Sequence, residues 1–349
     1  MSTIKIGKYN IGSGFPCFII AEAGVNHNGD INIAKKLIKE AKESGADCVK
    51  FQTFKSERVI TKNAPKAKYQ LETTDPSESQ LEMLKKLELP NEYYPELIHY
   101  CNEHDIMFLS TPYNKEDVDF LDDIGVQAFK LASIHVAEPA FVKYAAEKGK
   151  PIILSTGMAT LGEIDKAVYH ALKTKNNNLI LLQCTTNYPS RLKDANLLAM
   201  QTISKSFHLN VGYSDHTKSD IACIASVALG AKVIEKHFTI DKSLPGPDQS
   251  SSSDPSEFKQ LVENIRNCER VLGSPIKSPS EIEKINLKGM RRSIVIKNNI
   301  KKGTLITEDM LEFKRPSSGI SPSMLDLVVG RKAVRDLFED DLIDFSDIS

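Results

Sequence analysis

Eight short apolar runs rich in Val, Ile and Phe, separated by amphipathic stretches, restrict what this chain of 349 residues can fold into more than any other feature. The runs fall at 18–21, 48–51, 107–109, 128–131, 152–154, 179–183, 211–213 and 233–235. Strands that alternate with helices pair in parallel, because each helical crossover returns the chain to the same end of the sheet. Eight such units are the number that closes a (β/α)8 barrel. The intervening stretches carry their own helix signals. Asp30 stands before Ile33, Ala34, Leu37, Ile38 and Ala41, and Gly45 follows; Asp254-Pro255 opens a longer helix with Phe258, Leu261, Val262, Ile265 and Cys268 on one face. The fold class expected is α/β, a TIM barrel.

After Gly273 the pattern changes. Residues 1–275 are assigned to the barrel and 276–284, with its Ser and Pro, to a linker. Residues 285–349 carry short strand-like runs and are expected to form a small β-rich domain with a thin apolar core. The stretch 53–90 is longer than an ordinary connection and is read as a lid over the barrel rim.

A formal net charge of −1 with both signs interspersed gives no basic surface for nucleic acid and none for an acidic membrane. The apolar runs are short and the first residues lack a cleavage pattern, so a cytoplasmic location is expected. The six cysteines are scattered without short paired spacings and read as reduced core residues.

Nearly every proposed strand ends in polar residues. These are Glu22 on the first, Lys50 and Gln52 on the second, Ser110 and Thr111 on the third, and Lys130 and Ser133 around the fourth. Ser155 and Thr156, Thr185 and Thr186, Ser214 with His216, and His237 follow on the last four. In a closed barrel these ends converge on the face where active sites lie. Two lysines at such depth require anionic partners. Glu22 could serve one of them, but a ligand with a phosphate and a carboxylate accounts better for the hydroxyls of Thr111, Ser133, Ser155 and Ser214 as well. A single histidine at a strand end is ordinarily a hydrogen-bonding cap. His216 and His237 occupy matching ends of the last two strands, where two imidazoles could hold a divalent metal with positions left open for substrate. Lysines, hydroxyls and metal together point to carbon–carbon bond formation between a phosphorylated acid and an aldehyde.

The ordered motifs Ala21-Glu22-Ala23-Gly24-Val25-Asn26-His27-Asn28-Gly29, Val49-Lys50-Phe51-Gln52-Thr53, Leu154-Ser155-Thr156-Gly157-Met158, Tyr213-Ser214-Asp215-His216, Ile234-Glu235-Lys236-His237-Phe238 and Lys314-Arg315-Pro316 span nearly the whole chain. In these motifs the sequence resembles the sialic acid synthases and related nonulosonic acid synthases. The resemblance implies a TIM barrel followed by a C-terminal antifreeze-like (SAF) domain, and condensation of phosphoenolpyruvate with an N-acylated mannosamine-type sugar. It further implies phosphoenolpyruvate contacts at Lys50, Thr111, Lys130, Ser133, Ser155, Thr186 and Ser214, sugar-side positions at Glu22, Gln52, Tyr188 and Asp248, and metal ligands at His216 and His237. The metal implied is manganese, with magnesium or cobalt as alternatives. Arg315 resembles an arginine delivered to the active site of a partner subunit, which implies a domain-swapped homodimer.

Where many relatives have Gly-Glu after the serine matching Ser133, this chain has Ile134-His135, so either His135 takes the glutamate's catalytic role or activity is weakened. The product expected first is N-acetylneuraminate, from N-acetylmannosamine. Resemblance at 69–71 and 78–83 makes di-N-acetyllegionaminate, from a 2,4-diacetamido-2,4,6-trideoxymannose, the nearest alternative. A sugar-acid binding protein without catalysis is the alternative of a different class.

Overall fold

The computed structural model describes residues 1–349, which divide into two compact units, 1–273 and 274–349. The chain opens with an antiparallel hairpin, β1 (Ile4–Ile6) and β2 (Tyr9–Ile11). Eight parallel strands follow: β3 (Phe18–Gly24), β4 (Cys48–Thr53), β5 (Met107–Pro112), β6 (Phe129–Leu131), β7 (Ile152–Ser155), β8 (Leu179–Cys184), β9 (Asn210–Asp215) and β10 (Val233–His237). Their order is β5-β4-β3-β10-β9-β8-β7-β6, and β5 lies beside β6 to complete a nearly closed ring.

Each strand is buried on both faces, and the period of two sorts its residues. On β3, Ile19, Ala21 and Ala23 face the surrounding helices, where they join the larger core with Leu37, Ile38, Phe258 and Leu261. Phe18 and Ile20 join an inner core instead, with Cys48, Leu109, Ala128, Ile153, Ile180, Leu182 and Val233. Ile4, Ile6 and Ile11 of the hairpin belong to that inner core, so β1 and β2 plug the end of the barrel at which the strands begin. Three-residue strands are too short to show a period, which is why the alternation did not reveal them. The inward positions nearer the strand ends are polar. Gly212 keeps the interior narrow on β9, since a Cβ there would collide with Val233 and Leu182.

The helices follow their capping residues. Asp30 accepts from the Asn32 amide at the start of Ile31–Glu43, and Asp254 accepts from the Glu257 amide at the start of Pro255–Leu272. The stretch 53–90 contains three short helices, Ser56–Val59, Lys68–Thr73 and Gln80–Lys85. No helix is long and apolar enough to cross a membrane.

In the second unit a helix, Glu281–Met290, begins inside the stretch read as a linker. Ser280 and Glu283 form a capping box there, a local signal that outweighs the preceding Ser and Pro residues. Beyond it β11 (Ser293–Ile296) pairs antiparallel with β12 (Leu311–Lys314). The thin core expected here is corrected by ten buried apolar residues, among them Ile294, Ile296, Ile306, Leu337 and Ile343, which form a core of their own.

Candidate active site

The polar ends of the eight strands meet in a chamber of about 70 Å³. Glu22, Lys50, Gln52, Thr111, Lys130, Ser133, Ser155, Tyr188, Ser214, His216 and His237, all singled out in the sequence, line it. A larger cavity of about 530 Å³ lies against it, lined by Thr186 and Asp248 and by residues of the 53–90 stretch. Gln52, Tyr113, Ser133, Tyr188 and His237 belong to both walls, so one site has an inner polar chamber and an outer vestibule.

Charge in the chamber is balanced within the protein. Lys50 Nζ lies 2.6 Å from Glu22 Oε2, 3.8 Å from Glu235 Oε2 and 3.0 Å from Thr111 Oγ1. Lys130 Nζ lies 3.2 Å from Glu235 Oε1, which also accepts from Ser214 Oγ at 2.9 Å. Burial pushes the Glu22 carboxyl up to about 7, and the Lys50 ammonium offsets only part of that rise. Burial acts on Glu235 in the same sense, but Lys130 and Lys50 outweigh it and hold this carboxyl down at about 2. Burial lowers Lys130, whereas Glu22 and Glu235 overcome the same effect at Lys50 and raise it. Ser155 Oγ is buried without a hydrogen-bond partner, a donor aimed at nothing in the protein. The ammonium groups and the free Ser155 hydroxyl make a cradle for a small anion.

Glu235 was not among the residues expected to form the site, although its motif was noticed. The signal was present in the period of two: Glu235 and His237 share a face of β10, and Glu235 stands opposite Ser214 in register. Glu22, expected beside a sugar, is in this structure the partner of Lys50, and it also accepts from Gln52 Nε2 at 3.2 Å. Tyr113, also unexpected, donates to Gln52 Oε1 at 3.0 Å and ties β5 to the same wall.

The two histidines stand together at the chamber rim, with ring centroids 5.3 Å apart. His216 Nδ1 faces the Thr185 carbonyl at 2.6 Å, so it carries the proton and Nε2 keeps its lone pair. His237 Nδ1 is buried and has no hydrogen-bond partner, with Asp248 Oδ2 at 3.9 Å. Burial lowers the pKa of both rings, and for His237 the neighbouring His216 adds to the effect. Two neutral imidazoles with available lone pairs fit a divalent cation. No third His, Cys, Asp or Glu joins them in a ligand group. Tyr188 packs 4.1 Å from the His216 ring and 5.4 Å from the His237 ring, while Tyr69 of the lid stretch packs on Tyr188 at 5.2 Å.

The vestibule has two characters. Phe54, Val59, Ile60, Leu84 and Leu87 supply apolar wall, and Phe54 and Leu87 are buried in one cluster with Val25 and Met83. Gln70, Gln80 and Asn187 supply amides, and Asp248 a carboxyl that burial raises to about 6. Gly157 lets the loop after β7 press on this wall, since a Cβ there would overlap Ser133 and Thr186.

His135 lies apart from the other expected site residues. Its ring is buried between Phe141, 4.2 Å away, and Tyr113, 5.9 Å away, with Nδ1 toward Glu138 at 3.3 Å, and it lines neither cavity. The turn Ser133–Ala137 after β6 aims Ser133 at the chamber and carries His135 two residues later into the core. Arg315 is exposed in the second unit, ahead of a cis Pro316.

Comparison with known proteins agrees with this architecture. The NeuB family model matches residues 37–277 and the SAF domain model matches residues 291–349. The N,N'-diacetyllegionaminic acid synthase of Campylobacter jejuni is 48% identical over 327 residues, 93% of this chain and 98% of that protein. The human N-acetylneuraminate-9-phosphate synthase is 37% identical over 337 residues, 95% of this chain and 93% of that protein. Among solved structures, the N-acetylneuraminic acid synthetase of Leptospira borgpetersenii superposes with a TM-score of 0.74 at 34% identity, covering 82% of this chain and 95% of its own. With its barrel, its lysine-lined chamber and its SAF domain, the chain belongs to the NeuB family of nonulosonic acid synthases, enzymes that form a carbon–carbon bond.

Proposed function

We propose that the chain condenses phosphoenolpyruvate with 2,4-diacetamido-2,4,6-trideoxymannose and water, giving di-N-acetyllegionaminate and phosphate. The observation that carries this choice of sugar is the vestibule wall. Phe54, Val59, Leu84 and Leu87 offer a surface suited to the C6 methyl of a deoxy sugar, whereas the C6 hydroxyl of N-acetylmannosamine would lose water there without a partner. Gln70 and Gln80 are amides suited to a second acetamido group. The higher identity to the Campylobacter jejuni N,N'-diacetyllegionaminic acid synthase than to the human N-acetylneuraminate-9-phosphate synthase supports the same choice. N-acetylneuraminate, the product expected first from sequence, is the less well supported reading.

In this mechanism Lys50 and Lys130, with Thr111, Ser133, Ser155, Thr186 and Ser214, hold the phosphate and carboxylate of phosphoenolpyruvate. Gln52, Tyr188 and Asp248 orient the open-chain sugar from the vestibule side, and Glu22 stands between the two substrates beside Lys50. The methylene carbon of the enol ester attacks the aldehyde carbon, and positive charge develops at the enol ester's central carbon. Water adds at that carbon, and the carbon–oxygen bond to phosphate then breaks. The fixed ammonium groups and hydroxyls stabilise the anionic groups throughout without reorganising, and holding both substrates removes an entropic barrier. A divalent cation held by His216 and His237, manganese before magnesium or cobalt, would polarise the aldehyde carbonyl.

The proposal includes a homodimer in which Arg315 of one copy serves the sugar site of the other. Mixing inactive Arg315→Ala and inactive Lys130→Met chains should then restore activity, since one hybrid site is intact. The substrate test is phosphate release with each of the two sugars, with and without chelator. Turnover is expected with the diacetamido-deoxy sugar and is expected to stop in chelator. A higher kcat/KM with N-acetylmannosamine would overturn the sugar assignment.

A further inference from the structure

The residues just before the two histidines, Asp215 and Lys236, are register partners at the ends of β9 and β10. The strand period turns them outward, away from the chamber, where their side chains are 0% and 4% exposed. Lys236 Nζ donates to Asp215 Oδ2 at 2.5 Å, to the Thr217 carbonyl at 2.7 Å and to the Ser219 carbonyl at 3.2 Å, so each ammonium proton has an acceptor. Asp215 Oδ1 accepts from the Thr217 amide at 2.9 Å and from Tyr213 OH at 3.1 Å. The turn that starts at His216 is thus tied to β10 through a single ammonium group, and the His216 carbonyl is held by the Ser190 amide at 2.7 Å.

We infer that the Asp215–Lys236 pair is a positioning device that sets the spacing of the His216 and His237 rings and thereby the affinity of the metal site. The inference rests on the reading of those histidines as metal ligands. A buried ion pair in this place needs an account beyond stability, because an apolar pair of similar volume commonly stabilises a core as well or better. What an apolar pair cannot do is bind two turn carbonyls and a cross-strand carboxylate at once. That bonding fixes where the end of β9 lies relative to the end of β10, and each strand end carries one ring.

The test uses the full chain and Mn2+ as probe, with free ion followed by electron paramagnetic resonance well below the melting temperature. Asp215→Asn alone leaves an unpaired buried ammonium and can fail to fold, so the deciding variant is the doubly neutral Asp215→Asn/Lys236→Met. His216→Ala is the control for the metal reading itself. The double variant is expected to keep its circular dichroism while its Mn2+ dissociation constant rises roughly 10–100-fold, the range found when groups behind metal ligands are removed. A folded double variant that binds Mn2+ like the wild type, alongside a His216→Ala chain that does not bind it, overturns the positioning role alone. Wild-type affinity in His216→Ala overturns the metal reading on which the inference stands.

Discussion

Replacing Glu235 with Gln removes one negative charge from a chamber that holds two buried ammonium groups, while keeping the side-chain shape. Its oxygens lie 3.2 Å from Lys130 Nζ and 3.8 Å from Lys50 Nζ. At an effective dielectric of ~20, each contact is worth roughly 4–5 kcal/mol of attraction. The carboxylate's own desolvation offsets part of this, and removal of one partner from a buried pair costs about 3–5 kcal/mol net. For a unit of this size that is a fall in melting temperature of roughly 6–10 °C. The same charge opposes an incoming anion, so inorganic phosphate should stabilise the variant more than the wild type. A ligand at 100 times its Kd contributes about 2.7 kcal/mol, enough to recover much of the loss. Thermal unfolding followed by circular dichroism across a phosphate titration measures both effects. A Glu235→Gln chain that melts with the wild type in the absence of phosphate, or that gains less from phosphate, would refute the charge balance argued for this chamber.

Three further outcomes are expected. His27 is buried with Nδ1 accepting from the Gly29 amide at 2.9 Å, and burial lowers its pKa from 6.5 to about 4. The unfolded chain therefore takes up this proton first, so the stability is complete above pH 6.5 and about 3 kcal/mol is lost as pH falls toward 4. Urea unfolding at pH 7 and pH 4.5 should show a smaller acid loss in His27→Asn, and an equal loss in both chains would contradict the assignment. His135→Ala should lower the melting temperature, since it empties a buried site, yet reduce turnover far less than the ~10²–10⁴-fold expected of a general acid or base. Leu84→Gln should lower kcat/KM for the 6-deoxy sugar by roughly tenfold or more and leave the KM for phosphoenolpyruvate unchanged; equal effects on both substrates would remove this wall from sugar selection.

Much of the barrel was legible in the sequence because each of its strands is buried on both faces and so reads as an apolar run. The strand ends were harder to place. In sequence the last apolar run stops at Glu235, whereas β10 continues to His237, because polar residues that point into an active site look in sequence like the start of a loop. Lys50, Thr111, Lys130, Ser155 and Ser214 could be found at strand ends and do line one chamber. Composition does not separate Glu235 from Lys236; the period of two puts Glu235 on the face of His237, and the closed barrel shows that face turned to the cradle. The place of His135 is illegible in sequence for a related reason: after β6 the chain leaves the sheet in a short turn, and no period tells which of its residues faces inward.

Local pattern, capping residues and family motifs by themselves determined that this chain makes parallel strands and helices and which residue types gather at one end of them. Those properties reside in neighbours a few positions apart. The hairpin plug, the pairing of each lysine with a carboxylate, the outward ion pair behind the histidines and the apolar vestibule were decided only when distant segments packed together. Each depends on which residues meet across the barrel, and a linear order does not carry that information.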